Sequence, residues 1–159
     1  MKVLFDTSVL IASFLKRHEF HPKAARWISA AHESSIEMHL SAHTLAELYS
    51  SLTSMPKPYR VPPGEAWQMI DTDLLPHARV RTLRASQYAK LIKRMSVEGH
   101  AGGVVYDAVI AEVARRSKVD VLVTLNVPHF ERVMVEGGPR IVSPLDVTPD
   151  AIANHLNGN

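Results

Sequence analysis

Apolar residues recur along this chain in two rhythms. Continuous short runs, Val3-Leu4-Phe5 and Val119 to Thr124, predict strands buried on both faces. Ile36 to Leu40 alternates in part and predicts another strand, with shorter ones at Ala78 to Val80 and Arg140-Ile141-Val142. Between them the spacing lengthens to that of a helix. Val9, Leu10, Ile11, Phe14 and Leu15 mark a first helix, which Thr7 or Ser8 is placed to cap. Pro22 suits the first turn of a second helix, whose apolar positions are Ala25, Trp27, Ile28 and Ala31. Ser41 opens a third, with Leu45, Leu48 and Leu52 facing inward and His43, Glu47 and Ser50 facing out. Further helices are expected over Glu65 to Leu75, Leu83 to Met95 and Val104 to Arg116, with a short one in Val127 to Val135.

Breakers fall between these segments. Pro56, Pro58, Pro62, Pro63 and Gly64 make residues 53–64 a loop, read as mobile. Gly99, Gly102 and Gly103 precede the Val104 helix. The stretch from Asp150 to Asn159 reads as loosely held, which leaves a domain over residues 1–147 and a tail over 148–159. Strands alternating with helices define an α/β chain, with helices covering a mainly parallel central sheet. In such folds ligands gather beyond the carboxyl ends of the strands. Asp6 and Asn126 each follow a predicted strand, so both fall on that edge.

Composition changes this picture at a few points. A chain of 159 residues suits one domain with a sizeable core. It has no cysteine, which excludes disulfides, thiolate zinc sites and cysteine nucleophiles and is compatible with a cytoplasmic location. The net charge of +2 does not announce a nucleic-acid binder. The apolar run after Lys2 is interrupted by Asp6 and followed by Lys16, Arg17 and His18. It is therefore read as strand and helix, not as a secretion signal. No membrane segment is expected.

The candidate chemistry is acidic. Asp6, Glu47 and Asp107 come from distant parts of the chain, and each stands beside apolar sequence. Gathering them is costly unless a cation neutralises them, which points to a magnesium-type site. Each has an ordinary explanation too. Asp6 could be a strand-end turn, Glu47 a solvated helix residue, and Asp107 a first-turn acid favoured by the helix dipole. Asn126, before Val127-Pro128, suits a turn, yet its amide oxygen could ligate a hard cation or hold a water.

Four phrases carry a resemblance: Val-Leu-Phe-Asp-Thr-Ser-Val-Leu at 3–10, Thr-Leu-Ala-Glu-Leu at 44–48, Tyr-Asp-Ala-Val-Ile-Ala at 106–111 and Thr-Leu-Asn-Val-Pro-His-Phe at 124–130. In this order and at these separations the chain resembles the PIN-domain family, most closely its bacterial toxin branch, the VapC-like toxins. The resemblance implies a three-layer α/β/α sandwich and an endoribonuclease dependent on Mg²⁺ or Mn²⁺. It implies the toxin role in a type II toxin–antitoxin system, with RNA as substrate, a cognate antitoxin that blocks the cleft, and a homodimer. Asp6, Glu47 and Asp107 match the family's metal-ligating, catalytic acids. Thr7 or Ser8 matches its supporting hydroxyl and Thr124 another. Asn126 stands where the family often has aspartate, which lowers the site's negative charge by one. Competing readings are a PIN-like RNA- or protein-binding module without catalysis, and a haloacid-dehalogenase-like phosphatase. That phosphatase chemistry normally wants an acid two residues after Asp6, where this chain has Ser8.

Overall fold

The computed structural model describes residues 1–157. Five strands form one sheet in the order β3-β2-β1-β4-β5: β1 (Lys2–Phe5), β2 (Glu37–Ser41), β3 (Ala78–Arg81), β4 (Val121–Val123) and β5 (Arg140–Val142). Every pairing is parallel, with Val3 opposite Met38 on one side and Val121 on the other. The helices are α1 (Thr7–Phe14), α2 (His21–His32), α3 (Ala42–Ser54), α4 (Pro63–Met69), α5 (Ala85–Val97), α6 (Val104–Arg116), α7 (Val127–Val133) and α8 (Pro149–Asn157).

Strand alternation divides the core into two layers. Val3 and Phe5, with Val121 and Val123, face α1, α2 and α3, where Leu10, Trp27, Leu48 and Leu52 are buried. Leu4 and Leu122 face the other way, against Leu91 of α5, Ile110 of α6 and Phe130 of α7. The result is the expected α/β/α sandwich. Leu48, Leu52, Trp27 and Ile28 are all consumed by the chain's own core.

The strand order places the site. Chain connections run from β1 outward to β2 and β3, then return across to β4 and β5. β1 and β4 are neighbours whose following segments leave in opposite directions, which opens a crevice beyond their carboxyl ends. Asp6 follows β1 and Thr124 follows β4 at that crevice.

Several local expectations are revised. Residues 55–62 are pinned, since the Val61 N–H donates to the Leu52 carbonyl (2.9 Å) and Arg60 Nε to the Met55 carbonyl (2.9 Å). The helix expected to reach Leu75 stops at Met69, widens to a π turn over Ile70–Leu74 and tightens to a 3₁₀ turn over Leu75–His77. Pro76, which lacks an N–H and crowds the preceding turn, is the physical reason. Of the stretch expected to be loose, residues 150–157 belong to α8 instead, and residues 158–159 lie outside the described residues. Thr148 Oγ1 accepts from the Ala151 N–H (3.3 Å), Pro149 starts the helix, and Ile152 is buried in the same layer as Trp27. Among the described residues no helix is long and apolar enough to cross a membrane.

Candidate active site

Asp6 is the residue from which the site is built. Its N–H donates to the Val123 carbonyl (3.0 Å), which extends the β1–β4 ladder by one residue, and its own carbonyl accepts from Val9 at the start of α1 (3.2 Å). The backbone of Asp6 thus starts the helix while its side chain is turned elsewhere and makes no cap bond. Neither do the neighbouring hydroxyls cap, contrary to expectation. The Thr7 hydroxyl donates to Glu47 Oε2 (2.7 Å) and the Ser8 hydroxyl to Asp6 Oδ2 (2.5 Å). Hydroxyl bonds to ionised carboxylates are short and strong, which explains the preference.

Two hydrogen-bonded relays reach the Asp6 carboxylate from the turn after β4. The Leu125 N–H donates to Ser8 Oγ (3.1 Å), and Ser8 donates onward to Asp6. The Asn126 N–H donates to Thr124 Oγ1 (2.9 Å), and the Thr124 hydroxyl donates to the same Asp6 Oδ2 (2.8 Å). Both relays end on one oxygen and leave Oδ1 outside these bonds. Asp6 is 4% exposed, Thr7 3% and Thr124 0%. Burial is the largest influence on Asp6 and pushes its carboxyl above the ordinary range; the Ser8 and Thr124 bonds oppose this, and the Glu47 charge adds to it.

Glu47 arrives from the second turn of α3, held by Thr7. Asp107 stands in the first turn of α6 with its side chain 24% exposed. Burial raises its pKa first, then the charges of Asp6 and Glu47 raise it further, while His129 opposes them. His129 Nδ1 lies 3.6 Å from Asp107 Oδ2, and His43 Nε2 lies 3.9 Å from Glu47 Oε2. The three acids therefore act on one another across the crevice. Asn126 is joined to the cluster through its backbone only; its side chain is exposed and, among the described residues, has no recorded hydrogen bond.

Among the described residues no group of three or more His, Asp or Glu side chains is gathered closely enough to hold a metal ion by itself. The donors present are carboxylate and hydroxyl oxygens, and burial with mutual charge holds two of the acids above their ordinary pKa. That set fits a small hard cation that keeps several waters, and does not fit a metal preferring thiolate. Arg81, Arg84 and Arg116 line a groove of about 550 Å³ with Thr82, Gln87 and Ser117, none of it formed by the acids. Arg79 pairs with Glu37, and Arg115 with Arg116 flank Glu112.

Sequence reasoning named the acids and hydroxyls but missed one contact. Tyr106, an aromatic residue within the apolar-rich sequence of α6, is half exposed, and its ring stacks on His43 of α3. Ala108 and Ala111 take the inward places. The only signal in the sequence was that His43 and Glu47 share a helix face.

A parallel sheet with this strand order belongs to the α/β class that gathers its ligands at the crevice beyond the carboxyl ends of the strands, here where Asp6 lies. The PIN domain family matches residues 3–134, and the chain belongs to that family. It is 31% identical over 133 residues to Ribonuclease VapC40 of Mycobacterium tuberculosis, an alignment covering 82% of this chain and 93% of that protein. Among solved structures it resembles VapC20 of Mycobacterium tuberculosis, described as a sarcin-ricin loop cleaving toxin (TM-score 0.64, 18% identity, 86% of this chain and 99% of that one). It also resembles a chain of the DNA-bound VapBC of Salmonella typhimurium (TM-score 0.62, 22% identity, 91% and 98%).

Proposed function

We propose that this protein is a metal-dependent endoribonuclease and the toxin half of a type II toxin–antitoxin pair. The observation that carries the reading is the buried Asp6 carboxylate, raised by burial and facing Glu47 and Asp107 at the β1–β4 crevice. A folded protein keeps such mutually repelling acids where a function needs them. Family membership and the ribonuclease name of VapC40 support RNA as the substrate class.

In this reading Asp6 and Asp107 hold a Mg²⁺ or Mn²⁺ ion, with Glu47 contributing directly or through water. Such an ion, when bound, activates water and offsets charge on the phosphate. The chain's own residues prepare the place. Ser8 and Thr124 fix the Asp6 rotamer by donating to one oxygen, and Thr7 fixes Glu47. The carboxylate so fixed is the group that would hold the ion. Asn126 lies just outside, placed to orient water or phosphate.

The VapBC complexes among the structural relatives favour a cognate antitoxin as partner. A basic side chain presented to the acid cleft is the chemistry that would block it. A homodimer acting in the cytoplasm completes the proposal, and sedimentation at micromolar concentration tests the dimer.

The deciding experiment incubates a structured RNA with the protein and Mg²⁺ or Mn²⁺, with and without chelator, and maps the ends by sequencing. Cleavage lost with chelator, and in Asp6→Asn and Asp107→Asn that remain folded, is the expected result. Binding without cleavage by the unaltered protein would favour a non-catalytic RNA-binding module, and full activity in either variant would remove the proposed ion site.

A further inference from the structure

Tyr106 directly precedes Asp107, yet its ring does not join the core. It is 52% exposed, and its ring centroid lies 4.9 Å from that of His43 with 16° between the planes, a stacked pair joining α6 to α3. Such pairing has the separation of an attractive aromatic stack. His43 is the fixed member. Its side chain is 24% exposed, its Nε2 is buried without a hydrogen-bond partner, and that nitrogen lies 3.9 Å from Glu47 Oε2. A ring clamped on one face has already lost most of its freedom. Its remaining surface can therefore bind a flat partner with little further loss of entropy. The pair adjoins the acid cluster through His43, 3.9 Å from Glu47, and Tyr106 shares the first turn of α6 with Asp107.

We propose that Tyr106, backed by His43, is a nucleobase platform that stacks the base next to the scissile phosphate of a single-stranded RNA segment. This rests on the ribonuclease reading and names how that site would hold its substrate. The chemistry favours a base over other flat groups because the acids beside it await a phosphate and its cation. A nucleotide offers both a phosphate and a π face one sugar apart. Base–aromatic stacking tolerates all four bases, so the platform would strengthen binding and register more than it would select one base.

The test uses a short single-stranded RNA that the protein cuts once, and versions abasic at each nucleotide flanking the cut. For the unaltered protein, one abasic position should raise KM by roughly 5- to 150-fold, the range expected for one stacked base. Tyr106→Ala should raise KM for the intact RNA by a similar factor, and only slightly for that abasic RNA. In both cases kcat should stay within about twofold, because the loss is one of uniform binding. Tyr106→Phe should behave as the unaltered protein. Tyr106→Leu keeps apolar bulk without the π face and should behave as Ala; it replaces Tyr106→Ala if that variant melts early. Equal KM for Tyr106 and its Ala or Leu variants overturns the platform and leaves the ribonuclease reading standing, as do penalties that simply add in the combined case. If no RNA is cut at all, the ribonuclease reading falls, and the same cycle is read as Kd. A base-dependent difference that vanishes in Tyr106→Leu then supports the platform, and its absence overturns it.

Discussion

Asp6 keeps a carboxylate inside the protein with neutral donors around it, and Glu47 and Asp107 add charge of the same sign. A carboxyl raised on folding holds its proton across a pH window in which the unfolded chain has already lost it. Its effect on stability therefore runs opposite to that of a salt-bridged acid. Folding is most favoured below the ordinary carboxylate range and weakens as pH rises through the window. Asp6→Asn removes the effect. In chelator at neutral pH the variant should melt at a higher temperature than the unaltered protein, and the gap should close as pH falls to about 4. A variant that melts no higher at neutral pH would contradict this balance. Thr124 acts in the opposite sense, because it serves Asp6 and the Asn126 N–H at once. Thr124→Val strands both at constant shape and should cost about 1–3 kcal/mol. For a chain of this size that is a fall of roughly 2–12 °C in Tm. An unchanged Tm would mean that water replaces the hydroxyl.

Elements were legible where one force ruled them. β1 and β4 are apolar on both faces, and a buried parallel strand has no other composition, so Val3 to Phe5 and Val121 to Val123 could be read directly. Asp6 followed, because a strand end on the ligand-binding edge places it without any coordinates; Glu47 and Asp107 stand on helices, where sequence gives no such placement. Capping was misjudged where two local demands competed for one hydroxyl. Thr7 and Ser8 suit a helix N-terminus by propensity, but charged acceptors from α3 and from Asp6 itself outbid the backbone. The same blindness to tertiary partners hid Tyr106. Periodicity assigns it a face but cannot know that His43 of α3 waits outside the core. For α8 the missing term was its docking site. Read alone, residues 149–157 carry two large apolar residues, Ile152 and Leu156, and only the structure shows that Ile152 docks on Trp27 and its layer while Leu156 stays exposed. Ile152→Ala should therefore lower stability by about 2 kcal/mol, the low end for a buried isoleucine on a terminal helix. The denaturation midpoint should fall with the m-value unchanged. An unshifted midpoint would return the segment to the status of a tail.

At the scale of the molecule, the proposed ion site makes the acid cluster a cost to folding that a bound divalent ion would offset. An ion that binds the folded chain and not the unfolded one stabilises by an amount set by its concentration relative to Kd, about 2.7 kcal/mol at a hundredfold excess. For a domain of this size that is an upward shift in Tm of roughly 5–11 °C. The shift should grow with pH. Protons and the ion compete for Asp6 and Asp107, whose raised pKa values prolong the competition upward from the ordinary range. It should be lost in Asp6→Asn and Asp107→Asn, which also lose cleavage, and retained in Tyr106→Leu, which would lose only substrate affinity. Melting curves across a Mg²⁺ and a Mn²⁺ series at two pH values measure all of this without any RNA present. A shift that persists undiminished in Asp6→Asn would place the ion elsewhere on the surface. The acids at the β1–β4 crevice would then need another reason to be held together.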